Sequence, residues 1–492
     1  MIILDFLERE KLVANGNIDD VPDALKEGLV LFESYNGNAN HAEVLYEKFN
    51  LNNELILARL SYLCGDYIKA LELAIKAGDV YLRCEILISL NQFDEALSVL
   101  KDEPTGATWY YYSGVVYSHK ALYGKAIACL EKANELFSKQ DNLIRKLMTL
   151  SNLATCYNSN GEVSKATKMF EGAAALAKSI DKKIFPRFCS KFFVNYGFHL
   201  MQTGYLHSSF KYLRNAEKLI GTNRSEEYYR AKVFLAYVVK QMGYYHKSIT
   251  ILENIEPVVK CLNNDRLRYL AECYTQVGDL EKSRATIAVA HSLSIDDKFA
   301  QIFLNLSTYQ NLVLEGSLKL AEDTFLEIKQ LCVETKDEIS WEFALAKKAY
   351  FTNDVALARS QMGKLHKLGF EVEFLECTLT VAIKLIGAGN HQGALAILNR
   401  TNFSECPAQL IEARLLEGIC YKYLNQNLQS SMAVEAAYGL SKIRKNGFLV
   451  AKCLLIQMHL SNDFQEVIEF QSKYIGATKV LESWQKKSLV QF

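Results

Sequence analysis

The chain has 492 residues, half of them hydrophobic, and its 56 basic side chains are matched by 56 acidic ones. A net charge of zero supplies no overall field for nucleic acid, an anionic membrane surface or an acidic substrate, so any such partner would need a local patch. A length far beyond one ordinary core implies either several domains or one small unit propagated as an array.

At the N-terminus, "MIILDFLEREK" is too short in its apolar part and too acidic for a secretory signal. No apolar run approaches the ~20 residues that span a bilayer. The twelve cysteines are scattered through apolar helical stretches such as "LATCY" and "EGICYKY", with no C-x-x-C pair and no cysteine/histidine cluster at zinc-ligand spacing. They read as small buried hydrophobes in a reducing compartment. The expectation is a cytoplasmic, soluble protein without membrane insertion and without a metal or other cofactor. "ALKEGLVLFESYN" and "NHAEVLYEKFNLNN" read as helices within residues 1–55, an N-terminal helical cap.

From there the chain repeats itself. A turn position is occupied in order by Gly65, Asn91, Ala121, Gly161, Gly204, Gly243, Gly278, Gly316, Asn353, Gly389, Asn425 and Asn462. Glycine and asparagine best tolerate the left-handed conformation that ends a helix and redirects the chain. Five residues after each turn stands Ala70, Ala96, Ala126, Ala166, Ser209, Ser248, Ser283, Ala321, Ala358, Ala394, Ser430 or Val467, of which all but the last are small. Seven residues before it small residues recur, as in Ala58, Gly114, Ala154, Gly197, Ala236, Ala271 and Gly418, while Tyr309 and Leu455 break the pattern. A small residue facing a small residue lets two helices close into a hairpin, around which large residues such as Phe170, Leu213, Leu252 and Phe325 can pack. The turns lie 26 to 43 residues apart, which suits helical hairpins rather than propeller blades or leucine-rich repeats. Pro104, Pro186, Pro257 and Pro407 fall at or near junctions between repeats, where they break no helix. No convincing strand pair is found.

The pattern of small residue, aromatic, glycine, alanine, aromatic and alanine in Ala154, Tyr157, Gly161, Ala166, Phe170 and Ala173 resembles that of tetratricopeptide repeat (TPR) proteins. Gly114, Tyr117, Ala126, Leu130 and Ala133 follow it closely, as do Ala271, Tyr274, Gly278, Ser283, Ile287 and Ala290. The resemblance implies an all-α, right-handed superhelical solenoid of about twelve TPR-like hairpins over residues 56–470, with residues 471–492 as a C-terminal capping helix or tail. The longer middle repeats, with Asn152 in "SNLA" and Asn195 in "VNYG", resemble the longer-helix variety found in bacterial regulators and kinesin light chains.

Motifs for chemistry are sparse. "GAGNHQG", residues 387–393, has the wrong spacing for a dinucleotide loop, follows no strand and already contains the turn residue Gly389. No Walker lysine loop, H-E-x-x-H or G-x-S-x-G is present, so no catalytic residue is assigned and an enzyme is not expected. Lys178, Lys182, Lys183, Arg187 and Lys191 form a basic stretch that reads either as an exposed inter-repeat loop or as a contact for phosphate or acidic peptide. In "TWYYYSG", Trp109, Tyr110, Tyr111 and Tyr112 cover more than one helix face, so at least one ring is expected to face solvent or a partner.

In stacked hairpins of this type the first helices line the concave surface. In repeats four to seven their inward set reads Asn152, Thr155, Asn158 and Ser159; Val194, Asn195, Phe198, Met201 and Gln202; Val233, Tyr237, Lys240 and Gln241; Arg268, Glu272, Thr275 and Gln276. Amides and aromatics in place of lysine and glutamate suit pairing with a peptide backbone. The partner-binding candidates are therefore Asn152, Thr155, Asn158, Asn195, Phe198, Gln202, Tyr237, Lys240, Arg268, Gln276, Trp109 and Tyr111. Two functions remain open: a non-enzymatic scaffold or adaptor binding a peptide or protein partner in the groove, and a ligand- or peptide-sensing regulator that controls a partner through superhelix shape. No direct nucleic-acid contact is expected, and nothing indicates self-association.

Overall fold

The computed structural model describes residues 23–35, 39–101, 103–140, 142–180, 182, 186–221, 226–256, 260–444, 450 and 453. The expected C-terminal cap at 471–492, the twelfth turn at Asn462 and the first 22 residues of the expected N-terminal cap lie outside them. The chain packs as two compact units, unit 1 comprising residues 1–195 with 218–225 and unit 2 comprising residues 196–217 with 226–492.

Every bounded element among the described residues is an α-helix. In unit 1 these are α1 (Asp23–Tyr35), α2 (Ala39–Lys48), α3 (Glu54–Leu63), α4 (Tyr67–Ala77), α5 (Val80–Ser89), α6 (Phe93–Leu100), α7 (Ala107–His119), α8 (Tyr123–Lys139), α9 (Leu143–Ser159) and α10 (Val163–Ser179). The division between the units falls within α11 (Pro186–Gln202). Next come α12 (Leu206–Ile220), α13 (Glu226–Gln241), α14 (Tyr245–Glu253), α15 (Lys260–Gln276), α16 (Leu280–Leu293), α17 (Lys298–Glu315) and α18 (Leu318–Thr335). The series ends with α19 (Glu338–Thr352), α20 (Val355–Leu368), α21 (Glu371–Gly387), α22 (His391–Arg400), α23 (Pro407–Tyr423) and α24 (Asn427–Ile443). From α3 onward they pair as first and second helices of eleven successive hairpins, one at each expected turn from Gly65 to Asn425.

The turn chemistry is local. At all eleven positions the backbone has positive φ, including 78° at Gly161 and 55° at Ala121, where a β-carbon makes the conformation costly. At Gly161 its own N–H reaches Asn158 O at 3.1 Å and the N–H of Glu162 reaches Tyr157 O at 2.8 Å, a Schellman termination that satisfies the last carbonyls of α9. The next residue often starts the second helix by side-chain capping. Asp66, Asp279, Asp354 and Asn390 accept from the N–H of Lys69, Lys282, Leu357 and Gly393. "GAGNHQG" is thus a turn followed by an N-cap.

The small residues close each hairpin. Ala70, Ala96, Ala126, Ala166, Ser209, Ser248, Ser283, Ala321, Ala358, Ala394 and Ser430 are fully or almost fully buried. Where serine stands, its hydroxyl finds an acceptor on the facing helix. Ser209, Ser248 and Ser430 donate to the carbonyls of Gly197 (2.6 Å), Ala236 (2.8 Å) and Gly418 (2.8 Å), the small residues seven positions before each turn. A β-carbon on Gly197 would meet Leu213 at 2.8 Å and one on Gly418 would meet Val434 at 2.5 Å, so the approach has no room for a methyl group. Phe170, Leu213 and Leu252 are buried behind these contacts, each contributing about 1.5–3 kcal/mol. The hairpin α17–α18 accommodates the exception. Tyr309 is wholly buried against Phe325, with its hydroxyl making no hydrogen bond among the described residues.

The first two repeats are short because their helices are short, with the turns retained. Leu29 and Val30 of α1 and Ala42 and Leu45 of α2 share a core with Ile56 and Leu60 of α3. None of the cysteines whose side chains are described forms a disulfide, and all of these but Cys64 and Cys129 are buried.

Candidate functional site

In unit 1 the expected groove residues hold neighbouring hairpins together. The Asn152 amide donates to the Tyr111 hydroxyl at 3.2 Å, bridging α9 to α7, and the Asn195 amide donates to Ser151 Oγ at 3.1 Å, bridging α11 to α9. Thr155 is exposed, its hydroxyl turned back onto Ser151 O at 3.0 Å, and Asn158 is half-buried. In "TWYYYSG" the four rings do cover different faces. Tyr111 and Tyr112 are buried, whereas Trp109 and Tyr110 are half-buried, with Trp109 Nε1 donating to Leu100 O at 2.8 Å. Tyr112 donates to Glu85 at 2.5 Å, and Arg59 lies 3.3 Å from the same carboxylate. Burial works against ionisation of Glu85, but Arg59, the Tyr112 hydroxyl and Arg145 outweigh it and hold the carboxyl below its usual range.

Part of the basic stretch lies among the described residues. Lys178 is exposed, Lys182 lies over the Phe193 ring, Arg187 contributes to the field around Glu85, and Lys183 is outside the described residues.

Unit 2 contains a cavity of about 100 Å³. Its wall comes from the first helices of six successive hairpins: Tyr237, Lys240 and Gln241 of α13; Arg268, Glu272 and Gln276 of α15; Phe303 and Gln310 of α17; Phe343, Lys347 and Tyr350 of α19; Glu376 of α21; Gln409 and Glu412 of α23. Tyr245, at the start of α14, also lines it, as do Leu306, Ser307, Phe351 and Ala408. Four of the residues named from sequence, Tyr237, Lys240, Arg268 and Gln276, therefore meet in one place. Phe198 instead packs against Phe234 in a tilted ring pair with centroids 4.7 Å apart, and Gln202 is half-buried at the end of α11. Val194, Met201, Val233 and Thr275, expected to face the groove, are buried in helix packing. The face expected from sequence was too wide, because these positions turn toward adjacent helices; Thr275, for example, donates to Asn311 at 2.7 Å.

Sequence reading stopped at the seventh repeat and so missed Phe303, Gln310, Phe343, Lys347, Tyr350, Glu376, Gln409 and Glu412. Their register was available. Tyr237, Glu272, Gln310 and Lys347 all stand six residues before a turn, Arg268 and Phe343 ten before, and Phe303, Glu376 and Glu412 thirteen before, one face of a helix at 3.6-residue period.

The groove is not left open within unit 2, because its hairpins close on themselves. Cys406 donates to Gly204 O at 3.7 Å and Arg444 Nε donates to Met242 O at 2.9 Å, each contact joining residues 202 positions apart. One apolar core joins Met201, Leu206, Leu235 and Met242 to Val372, Phe403 and Cys406. A β-carbon on Gly204 would stand 2.6 Å from Glu371 Cβ.

The cavity's cations are held by carboxylates and rings. Lys240 pairs with Glu272 and lies over the Tyr237 ring at 4.5 Å. Arg268 pairs with Glu272 at 3.3 Å and Asp265 at 3.1 Å, with its guanidinium over Tyr269 and Phe303. Lys347 faces Glu373 at 3.0 Å and Glu376 at 2.6 Å. Burial disfavours the charge on Glu272, but Lys240 and Arg268 outweigh it and lower its pKa. At Glu376 the balance reverses. Burial raises the carboxyl to about 7 against the pull of Lys347, and Glu373 and Glu412 add to the rise. Burial likewise pushes the Tyr237, Tyr269 and Tyr350 phenols up. Among the described residues no group of three histidine, cysteine or acidic side chains could hold a metal ion, and no helix is long and apolar enough to cross a membrane.

No protein-family model matches the sequence, and no curated protein matches it significantly. Among solved structures, the chain is similar to one in the crystal structure of the APC/C hetero-tetramer Cut9–Hcn1, at 14% identity and a TM-score of 0.41, over 92% of this chain and 95% of that one. It is also similar to a Rap protein complexed with competence and sporulation factor, at 13% identity and a TM-score of 0.39, over 82% of this chain and 99% of that one.

Proposed function

We propose that the protein is a non-enzymatic interaction scaffold that binds a peptide or protein partner through the first-helix face of its hairpins, with the unit 2 cavity as the recognition centre. One observation supports this above the others: six consecutive first helices contribute polar and aromatic side chains to a single cavity. A fold that only stacked hairpins would need apolar contacts between neighbours. Here, buried ion pairs converge instead, and buried ions stabilise poorly compared with well-packed hydrophobic residues.

The closure of unit 2 favours one further reading. A ligand seated in a cavity whose wall includes both α13 and α23 can bias the nearby contact between the C-terminal ends of α13 and α24, so that occupancy regulates a partner through the shape of this unit.

The test is affinity capture from native extract with wild type and a Gln276→Arg, Gln310→Arg variant, which fills the cavity from half-buried positions. A Leu326→Ser variant on the exposed face of α18 is the control. The scaffold reading expects partner capture to survive in the control and to disappear with the double variant. Equal capture by all three proteins would refute the cavity as the recognition centre.

A further inference from the structure

The two sides of the unit 2 cavity differ electrostatically. Around Arg268 the charges close among themselves, since Lys240 and Arg268 together face Glu272 and Asp265. Around Lys347 a single ammonium is shared by two buried carboxylates, Glu373 and Glu376, which are 4% and 8% exposed. Glu412 adds a third carboxylate to that wall from α23, accepting from the Tyr350 hydroxyl at 3.1 Å. Burial raises the pKa of Glu376 against the pull of Lys347, and the neighbouring Glu373 and Glu412 add to the rise.

A second observation is independent of charge. Gln409 lines the same cavity one helical turn before Glu412; the residue is 9% exposed, and its Oε1 makes no hydrogen bond among the described residues. A buried amide oxygen left in this state is unfavourable and calls for a donor. A donor that is also a cation would satisfy the oxygen and the crowded carboxylates together. An anionic group would face Glu376 and Glu412 at close range. A divalent metal would need several oxygen ligands free to surround it, whereas Lys347 already engages Glu376.

Space and surface chemistry agree. About 100 Å³ accommodates an ammonium and a few methylenes but not a folded segment, and Tyr245, Phe343, Tyr350 and Phe351 provide rings for the stem and the charge. Gln241, Gln276 and Gln310 remain partly exposed, so the cavity communicates with solvent.

We propose that the unit 2 cavity receives the ammonium end of a lysine side chain presented by the partner, donating to Glu376, Glu412 and Gln409 Oε1. The inference rests on the scaffold reading and specifies what that scaffold recognises. Binding places a second cation beside Glu373 and Glu376, which share Lys347, and Gln409 gains its missing donor.

The experiment is a ligand-observed saturation-transfer NMR titration of the full chain with Nα-acetyl-lysine N-methylamide. Its controls are the Nε-acetylated analogue and the norleucine analogue, which keep the stem and lose the charge. Saturable binding of the lysine amide at least tenfold tighter than either control is expected, with at least a tenfold loss in Glu376→Gln. Gln409→Met serves as the second variant because it should raise the thermal midpoint, by removing an unpaired oxygen, while weakening lysine-amide binding severalfold. Equal binding of all three probes, or variants that fold and bind unchanged, would overturn the proposal. If the lysine amide fails to bind while partner capture still depends on Gln276 and Gln310, the lysine inference falls and the scaffold reading stands. If both fail, both fall.

Discussion

Replacing Glu376 by glutamine should stabilise the protein at pH 8 and leave its stability nearly unchanged at pH 4.5. Burial raises this carboxyl from 4.5 to about 7 against the opposing pull of Lys347, and the repulsion of Glu373 and Glu412 reinforces the rise. Below pH 4.5 the acid is neutral in both folded and unfolded chains. Between 4.5 and 7 the unfolded chain has released the proton that the folded chain retains, so stability falls as pH rises, and the loss is complete above the folded value. At about 1.4 kcal/mol per pH unit across that window, the loss is about 3 kcal/mol. The side chain is only 10% exposed, so solvent screening reduces this little. Glutamine keeps the shape and an acceptor for Lys347 but never ionises. For a unit of this size the difference corresponds to a thermal midpoint higher by about 5 °C at pH 8. Differential scanning calorimetry of the two proteins in parallel from pH 4.5 to 8.5 measures it. Other titrating groups cancel in the comparison, including His199, which burial lowers to about 4. A difference that stays constant with pH, or a variant less stable at pH 8, would refute the reasoning by showing that Glu376 is ionised and stabilising throughout.

Four further substitutions concern stability, each read from urea unfolding. Gly204→Ala adds left-handed strain at φ 79° and sets a β-carbon 2.6 Å from Glu371 Cβ, so it should cost roughly 2–4 kcal/mol. Gly65→Ala, at φ 83° with nothing within 4 Å, should cost only the strain of about 1–2 kcal/mol; equal costs at the two sites would argue against closure of unit 2. Ala121→Gly relieves the same strain at an exposed turn with φ 55° and should gain roughly 0.5–1 kcal/mol, the smaller unfolded-state entropy of alanine offsetting part of the gain. Tyr309→Phe removes a buried hydroxyl without a hydrogen-bond partner among the described residues, and a gain of about 1 kcal/mol is expected, whereas a loss would reveal a partner for that hydroxyl.

Much of this protein was legible before any coordinate. The turn residues, the alanine or serine five positions later and the small residue seven positions earlier together defined eleven hairpins that the structure contains, down to the left-handed backbone at Ala121. That information is local. A Schellman turn needs only the residues around it, and a close helix pair needs only small side chains facing one another. The roles of Asn152 and Asn195 were less legible, because an amide on a first helix reads the same whether it awaits a peptide or bonds to the neighbouring hairpin. Glu376, Gln409 and Glu412 lay beyond the repeats whose inward face was read, and periodicity alone would not have said what that face meets.

Tertiary structure alone decided that the first-helix face of unit 2 encloses a cavity. Curvature in a hairpin array accumulates from small rotations at each interface, set by the combined fit of many side chains rather than by any one residue type. Whether the sum brings Gly204 onto Cys406, and Met242 onto Arg444, is invisible to a pattern that repeats every few dozen residues. Once those distant hairpins meet, an open groove becomes a small chamber, and Glu376 and Glu412, far apart in sequence, line it together. The sequence by itself determined the unit of construction; the accumulated rotation determined which units face one another, and with it the charge of the site.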